Sequence, residues 1–218
     1  MAARSLALLS AFPVMMFGAA VLTGRAGAQV IPFESNGLKY KALTHDGVTI
    51  MFAPLPTRIR DWVIFQVAIT NGSPISWSFK ADDFRFERED GTTISALSAH
   101  EVVDTMLKKA SRNDAEKLVV AYEAALFGNM HLHSTNGYET RRQDAMVATG
   151  SNKLRAAATA SAIVLAPTKL QPGESTDGAV FYPSGGKPLG AGKMIANAAG
   201  EEFAFPVDAE TVPNTSRR

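Results

Sequence analysis

Apolar residues that recur at every second position are the feature that most constrains how this chain can fold. The clearest set is Val63, Phe65, Val67 and Ile69. Because successive side chains of a β-strand point to opposite faces, this spacing predicts a strand that is buried on one face. Trp62 and Ile64 lie on the opposite face with the polar Gln66. We therefore expect a central strand whose second face is also partly covered.

Similar short segments, separated by turn residues, occur on both sides of a long helical stretch. Asn71 to Pro74 are turn residues, and we expect residues 63–70 and 75–79 on either side of them to form a hairpin-like unit. Phe84 and Phe86 alternate with charged residues, and residues 178–183, 193–196 and 203–207 resume the β pattern after Pro167. Strands of this length and spacing are typical of a β-sandwich. The predicted fold class is mainly β (α+β).

The stretch between these β regions has a helical period. Ser98 and Glu101 form a capping box that predicts a helix to about Lys109. Asn113 and Glu116 repeat the capping pattern for a second helix, and residues 154–162 predict a third. We therefore expect one sandwich domain over residues 29–207, with a helical insertion at about residues 98–162. Residues 208–218 have no periodicity, which predicts a disordered tail.

The first 28 residues have the three parts of a secretory signal peptide. Arg4 supplies the positive charge, residues 6–22 form an apolar run, and Ala26, Gly27 and Ala28 are the small residues of a cleavage site. The mature chain then begins at Gln29, and we expect it to be exported to the periplasm or the extracellular space. An uncleaved anchor is the alternative, but about 20 apolar residues are needed to span a bilayer. After cleavage we expect no stable membrane span.

Composition excludes cysteine chemistry and argues against a nucleic-acid partner. The chain has no cysteine, so disulfides, thiolate nucleophiles and thiolate metal sites are excluded. Loss of Arg4 and Arg25 with the signal peptide reduces 22 basic residues to 20, against 21 acidic ones. Phosphate binding needs a concentrated basic surface, so this balance predicts no nucleic-acid partner.

Two segments resemble the secreted bacterial telokin-like, immunoglobulin-fold domains of unknown function. Residues 63–94 (VIFQVAITNGSPISWSFKADDFRFEREDGTTI) and 170–183 (LQPGESTDGAVFYP) carry the resemblance. The family pairs a strand, Asn-Gly turn, strand, Asp-Phe and Asp-Gly segment with a later Pro-Gly-Glu-Ser and Gly-x-Val-Phe segment. The resemblance implies an immunoglobulin-like β-sandwich and no catalytic motif. The helical stretch over residues 98–162 departs from a compact version of that family.

A possible metal site lies in the predicted loop between helices. Met130, His131 and His133 could bind copper or zinc, because alternate residues of an extended segment point the same way. His45 and His100 are the only other histidines, and the spacing assigns no third or fourth ligand. A polar surface loop is the alternative interpretation. The sequence implies no other cofactor.

Two further patterns have structural explanations. Ser98, His100 and Asp104 contain the residue types of a nucleophile triad, but Ser98 is already accounted for as a helix cap. The aromatic residues Trp62, Trp77, Phe79, Phe84 and Phe86 could form a carbohydrate platform if exposed. We expect the alternating ones to pack in the core and Trp62 to pack under the helical insertion.

These observations favour an exported, non-catalytic binding or structural module of the periplasm or cell envelope. A metal-binding protein and an enzyme with an unrecognised site are the alternatives. We expect a protein or envelope partner to bind the helical insertion, where Val102, Met106, Tyr122 and Leu126 are candidates for incomplete burial.

Overall fold

The computed structural model describes residues 29–35, 37–57, 59–111, 113–114, 116–118, 120, 135, 140 and 151–209. The predicted signal peptide, and the tail beyond residue 209, lie outside these residues. No helix in the described part of the chain is long and apolar enough to cross a membrane.

Eleven strands and two helices have defined bounds within the described residues. The strands are β1 (Ile31–Ser35), β2 (Leu38–His45), β3 (Val48–Pro54), β4 (Trp62–Asn71), β5 (Trp77–Phe79), β6 (Phe84–Arg88), β7 (Thr93–Ser95), β8 (Thr168–Leu170), β9 (Ser175–Pro183), β10 (Gly192–Ala198) and β11 (Glu201–Val207). The helices are α1 (Ala99–Lys109) and α2 (Asn152–Ile163), and a short 3-10 turn covers Ala81–Asp83. Both helices fall between β7 and β8, where the insertion is predicted.

The strands form two main antiparallel sheets. One has five strands in the order β1-β2-β3-β4-β9, and the other has four in the order β11-β10-β6-β7. A two-stranded sheet of β5 and β8 adds a third, smaller pairing. The predicted class, a mainly β sandwich with a helical segment inserted between strands, is confirmed.

The inner core lies between the five-stranded and four-stranded sheets. The predicted face of β4 points into it, and Val63, Phe65, Val67 and Ile69 are all buried there. Aromatic rings fill much of the space, and Phe52 packs edge-on against Phe205 of the opposite sheet with ring centroids 4.9 Å apart. We refer to this face of the five-stranded sheet as the inner face.

The outer core lies between the opposite face of the five-stranded sheet, here the outer face, and the helices. Trp62 and Ile64 pack there with Val102 and Met106 of α1. The Trp62 ring meets Phe181 edge-on, with centroids 5.5 Å apart. The predicted position of Trp62, under the helical insertion, is confirmed. The molecule therefore has a helical layer on a two-sheet sandwich.

Both ends of the helical insertion are hydrogen-bonded to the free edge of β9. The amide of Leu97 donates to the Phe181 carbonyl at 2.8 Å, and the amide of Leu165 donates to the Ala179 carbonyl at 2.9 Å. A Cβ atom on Gly178 would lie 2.5 Å from the Cα of Leu165, so only glycine permits this approach. These contacts cover a sheet edge that would otherwise present unpaired backbone groups.

The predicted hairpin of residues 63–70 and 75–79 is wrong. Both edges of β4 are occupied, by β3 and β9, and β5 pairs with β8 instead. The buried side chain of Asn71 explains the change of direction. Its Nδ2 donates to the carbonyl oxygens of Ile75 at 2.8 Å and Leu170 at 3.1 Å, and its Oδ1 accepts the amide of Ser73 at 3.1 Å. The turn therefore carries the chain out of the five-stranded sheet.

The helix starts differ in how well the sequence predicts them. Ser98 is the N-cap of α1, and its bonds with Glu101 complete the predicted capping box. The predicted cap by Asn113 and Glu116 is wrong, because Asn113 is already helical. Ser111 and Asp114 exchange the two capping bonds instead, at 2.8 and 3.3 Å.

Candidate functional site

The predicted metal ligands Met130, His131 and His133 lie outside the described residues, so that site stays a prediction. The two other histidines are far apart in the fold. His45, near the turn between β2 and β3, packs edge-on against Phe203 at 5.1 Å. His100 is exposed on α1 beside Asp104. Among the described residues, no group of three His, Asp or Glu side chains is placed to hold a metal ion.

Ser98, His100 and Asp104 do not form a catalytic triad. The Ser98 hydroxyl donates to Glu101 Oε2 at 2.8 Å and accepts the amide of Glu101, so it serves the helix cap. His100 Nε2 lies 3.8 Å from Asp104 Oδ2, which is also 3.4 Å from Lys108 Nζ. The hydroxyl and the imidazole therefore have separate partners, and neither is oriented toward the other.

The aromatic residues considered for a carbohydrate platform do not form one on the described surface. Trp62, Phe79, Phe84 and Phe86 are buried, as expected for core residues. Trp77 is partly exposed, and its Nε1 donates to the Ser73 hydroxyl at 3.0 Å. Trp77 thus braces the turn that follows β4.

A buried polar cluster occupies the middle of the outer face. The Tyr40 hydroxyl donates to Gln66 Oε1 at 2.9 Å, and both side chains are almost wholly inaccessible to solvent. In the register of β4 and β9, Gln66 lies opposite Ala179, and Ala68 lies opposite Asp177. Gln66 and the buried Asp177 are therefore diagonal neighbours, with Cα atoms roughly 7–8 Å apart. The sequence assigned Gln66 to this face but gave no sign of its full burial.

Burial determines the protonation of this cluster. Desolvation, with a smaller contribution from the negative charge of Asp177, raises the pKa of Tyr40 above its ordinary value. The hydroxyl is therefore neutral and acts as a hydrogen-bond donor at physiological pH. Gln66 Nε2 has no hydrogen-bond partner within the described part of the chain. The bond between Tyr40 and Gln66 joins β2 to β4 within the outer core.

A groove of about 450 Å³ runs beside the edge strand β1 and includes Phe33, Lys39 and Lys41. Ser35 and Leu38 close this hairpin as a hydrogen-bonded pair. Because hydrogen-bonded and non-hydrogen-bonded pairs alternate along an antiparallel ladder, Pro32 and Lys41 form a non-hydrogen-bonded pair. The nitrogen of Pro32 therefore points away from β2, toward the free edge. Because proline has no N–H, this edge is a poor template for an added strand.

The helical insertion carries most of the exposed large apolar side chains. The described residues expose five such side chains, and three of them, Leu107, Val120 and Leu154, lie in the insertion. Their exposed fractions are 38, 68 and 56%. The predicted partial exposure of Val102 and Met106 is wrong, because both pack fully against the sheet. Tyr122 and Leu126 lie outside the described residues.

Two basic side chains join helix ends at one end of the helical layer. Lys153 Nζ donates to the Lys108 carbonyl at 3.1 Å, which places the first turn of α2 against the last turn of α1. Arg60 donates to the Lys109 carbonyl and lies 3.4 Å from Asp114 Oδ2. Both contacts satisfy carbonyl groups that a helix leaves unpaired at its C-terminus. We call this end, marked by exposed Leu107 and Leu154, the helical pole.

Comparisons with known proteins identify no family. No family model matches the chain, and no curated protein matches its sequence. The crystal structure of the yjhA protein from Bacillus subtilis is similar, with a TM-score of 0.35 and 10% sequence identity. The similarity covers 82% of this chain and 96% of that protein. At this level it assigns neither a family nor an activity.

Proposed function

We propose that this chain is an exported, non-catalytic binding module with an immunoglobulin-like sandwich, and that its helical insertion contacts a partner in the periplasm or cell envelope. The observation that carries the proposal is the gathering of exposed apolar side chains at the helical pole. Exposed apolar side chains that lie close together are typical of interaction sites.

The polar groups of the described residues support a binding role in preference to a catalytic one. The Ser98 hydroxyl caps a helix, the Tyr40 hydroxyl binds Gln66, and Asn71 holds a turn. Each of these side chains already has a structural task. The resemblance to telokin-like domains, which also implies no catalytic motif, agrees with this assignment.

Export is tested by expressing the complete chain in a Gram-negative host and determining the N-terminus of the accumulated protein. We expect Gln29 at the N-terminus and recovery in the periplasmic fraction or the medium. Substitution of Ala26 and Ala28 by bulky residues should block processing, because the peptidase reads small side chains there. Cytoplasmic protein that retains residues 1–28 would contradict the proposal.

The binding role is tested by in vivo cross-linking from a photoreactive residue placed at Leu154. We expect an adduct at this position and none from the same residue placed at Ile75, which is also exposed but lies outside the insertion. Equal adducts at both positions would argue against a site at the helical pole. Turnover in a hydrolase substrate panel would argue against the non-catalytic assignment.

A further inference from the structure

We propose that the helical pole binds an anionic lipid surface, so that the exported chain lies against the envelope membrane. This inference rests on the proposed function and adds the chemistry of the partner. It rests on two properties of the pole, its exposed aliphatic side chains and the basic side chains among them.

The aliphatic side chains of the pole are suited to shallow insertion. Leu107 is in the last turn of α1 and Leu154 is in the first turn of α2, two turns that meet through the bond between Lys153 and Lys108. When an amphipathic helix lies on a membrane, its exposed apolar residues enter the boundary between lipid headgroups and acyl chains.

The charges of the pole complement an anionic surface. Four lysines, Lys108, Lys109, Lys117 and Lys153, are exposed there, whereas Asp104 and Asp114 are only partly exposed. Asp114 is also paired with Arg60, and Asp104 with Lys108, so that Lys109, Lys117 and Lys153 supply the excess positive charge. Glu116 is the exposed carboxylate of the described pole. Lysines close to a membrane gain free energy from anionic headgroups, and their long side chains reach past neighbouring apolar groups.

This composition favours lipid over a protein partner. The centres of protein interfaces are enriched in aromatic residues and arginine and depleted in lysine. The exposed large apolar residues of the described pole are leucines, and its exposed cations are lysines. Aliphatic side chains surrounded by lysines are instead typical of surfaces that lie on anionic membranes.

The test is co-sedimentation of the purified chain, processed to Gln29, with vesicles of phosphatidylglycerol and phosphatidylethanolamine. Vesicles of phosphatidylcholine alone are the reference. We expect binding to the anionic vesicles that weakens as salt is raised. Leu107→Ser with Leu154→Ser should lower the partition coefficient about tenfold or more. Lys109→Gln with Lys117→Gln should lower it by a similar factor for anionic vesicles.

The matched control is Ile31→Ser with Ile75→Ser, which removes two exposed apolar side chains elsewhere. We expect this control to bind within about twofold of the parent chain. Equal binding to both vesicle types, no binding, or equal loss in the control would overturn the lipid assignment. A protein adduct at Leu154 without vesicle binding would overturn it too, while leaving the binding module intact. Failure of export would instead refute the proposed function.

Discussion

The two faces of the five-stranded sheet are both buried but are built differently. The inner face meets a second sheet through large rings, among them Phe52, Phe65 and Tyr182. The outer face meets helices through smaller side chains, such as Ala156 and Ala160 of α2, and includes the polar Tyr40 and Gln66. Apolar packing therefore stabilises the inner face, whereas the outer face is stabilised by packing and by a buried hydrogen bond.

A buried tyrosine on each face shows this difference between the faces. Tyr182 on the inner face is wholly buried, and its hydroxyl has no hydrogen-bond partner among the described residues. Tyr40 on the outer face is equally buried but donates to Gln66. A buried hydroxyl without a partner destabilises the fold, whereas a satisfied one stabilises it. The comparison indicates that the hydroxyl of Tyr40 contributes to stability and that the hydroxyl of Tyr182 does not.

Truncation of the inner face should have the largest effect. Phe65 packs against Phe52 and Tyr182 with ring centroids 5.6 Å away in each case. We expect Phe65→Ala to lower the free energy of unfolding by about 3–5 kcal/mol, measured by urea denaturation. The exposed Ile75→Ala should change it by less than about 0.5 kcal/mol. A loss below about 1 kcal/mol for Phe65→Ala would contradict the packing assigned to the inner face.

The second largest loss of stability is expected where the insertion rejoins the sheet. Gly178→Ala places a methyl group against the backbone of Leu165. We expect a loss of about 3 kcal/mol, the upper end for overpacking, since the obstacle is backbone. Hydrogen exchange should also accelerate at the amide of Leu165, which donates to Ala179. Unchanged exchange there would show that the helical layer does not depend on this close approach.

The two tyrosines allow a direct contrast of the faces. Tyr40→Phe leaves Gln66 Oε1 without its donor, and we expect a loss of about 1–3 kcal/mol. Tyr182→Phe should change stability by about 0.5 kcal/mol or less, or increase it. Combining Tyr40→Phe with Gln66→Met should recover part of the loss, because both partners become apolar. Equal losses for the two single variants would remove the distinction between the faces.

Alkaline pH should weaken the fold through the same residues. Burial raises the pKa of both Tyr40 and Tyr182, so the folded chain holds these protons when the unfolded chain has lost them. Their contribution to stability is complete below about pH 10 and declines above it, by on the order of 1 kcal/mol per tyrosine at pH 11. Denaturation at pH 9 and 11 should show a smaller decline for Tyr182→Phe. An identical decline would assign the effect to other groups.

The sequence predicts the inner face well because one constraint dominates there. A residue between two sheets must be apolar, so the spacing of Phe84 and Phe86, or of Val63 and Phe65, predicts both strand and orientation. The start of α1 was predictable for a similar reason, since Ser98 and Glu101 interact within one turn. Local chemistry determines each of these features.

Features that depend on distant partners were harder to predict. The partner of β5 is decided by the contacts of Asn71 with Leu170, almost a hundred residues away, so a local turn signal predicted the wrong pairing. Burial of Gln66 depends on Tyr40 in another strand. The exposed face of the insertion could not be separated from its buried face, because Val102, Met106 and Leu107 are similarly apolar. Ser35 and Leu38 close the hairpin of β1 and β2, and the Asn-Gly sequence between them is a local signal that the sequence interpretation missed.

The attachment of the insertion to β9 has a consequence for how this chain can be varied. The amides of Leu97 and Leu165 bond to carbonyl groups two residues apart on β9. The insertion therefore begins and ends at points about 7 Å apart along that strand. Ends this close accept connections of very different lengths with little change in closure entropy. The insertion can therefore be replaced by a segment of different length while the strands stay unchanged. Any replacement must still cover Trp62 and Phe181.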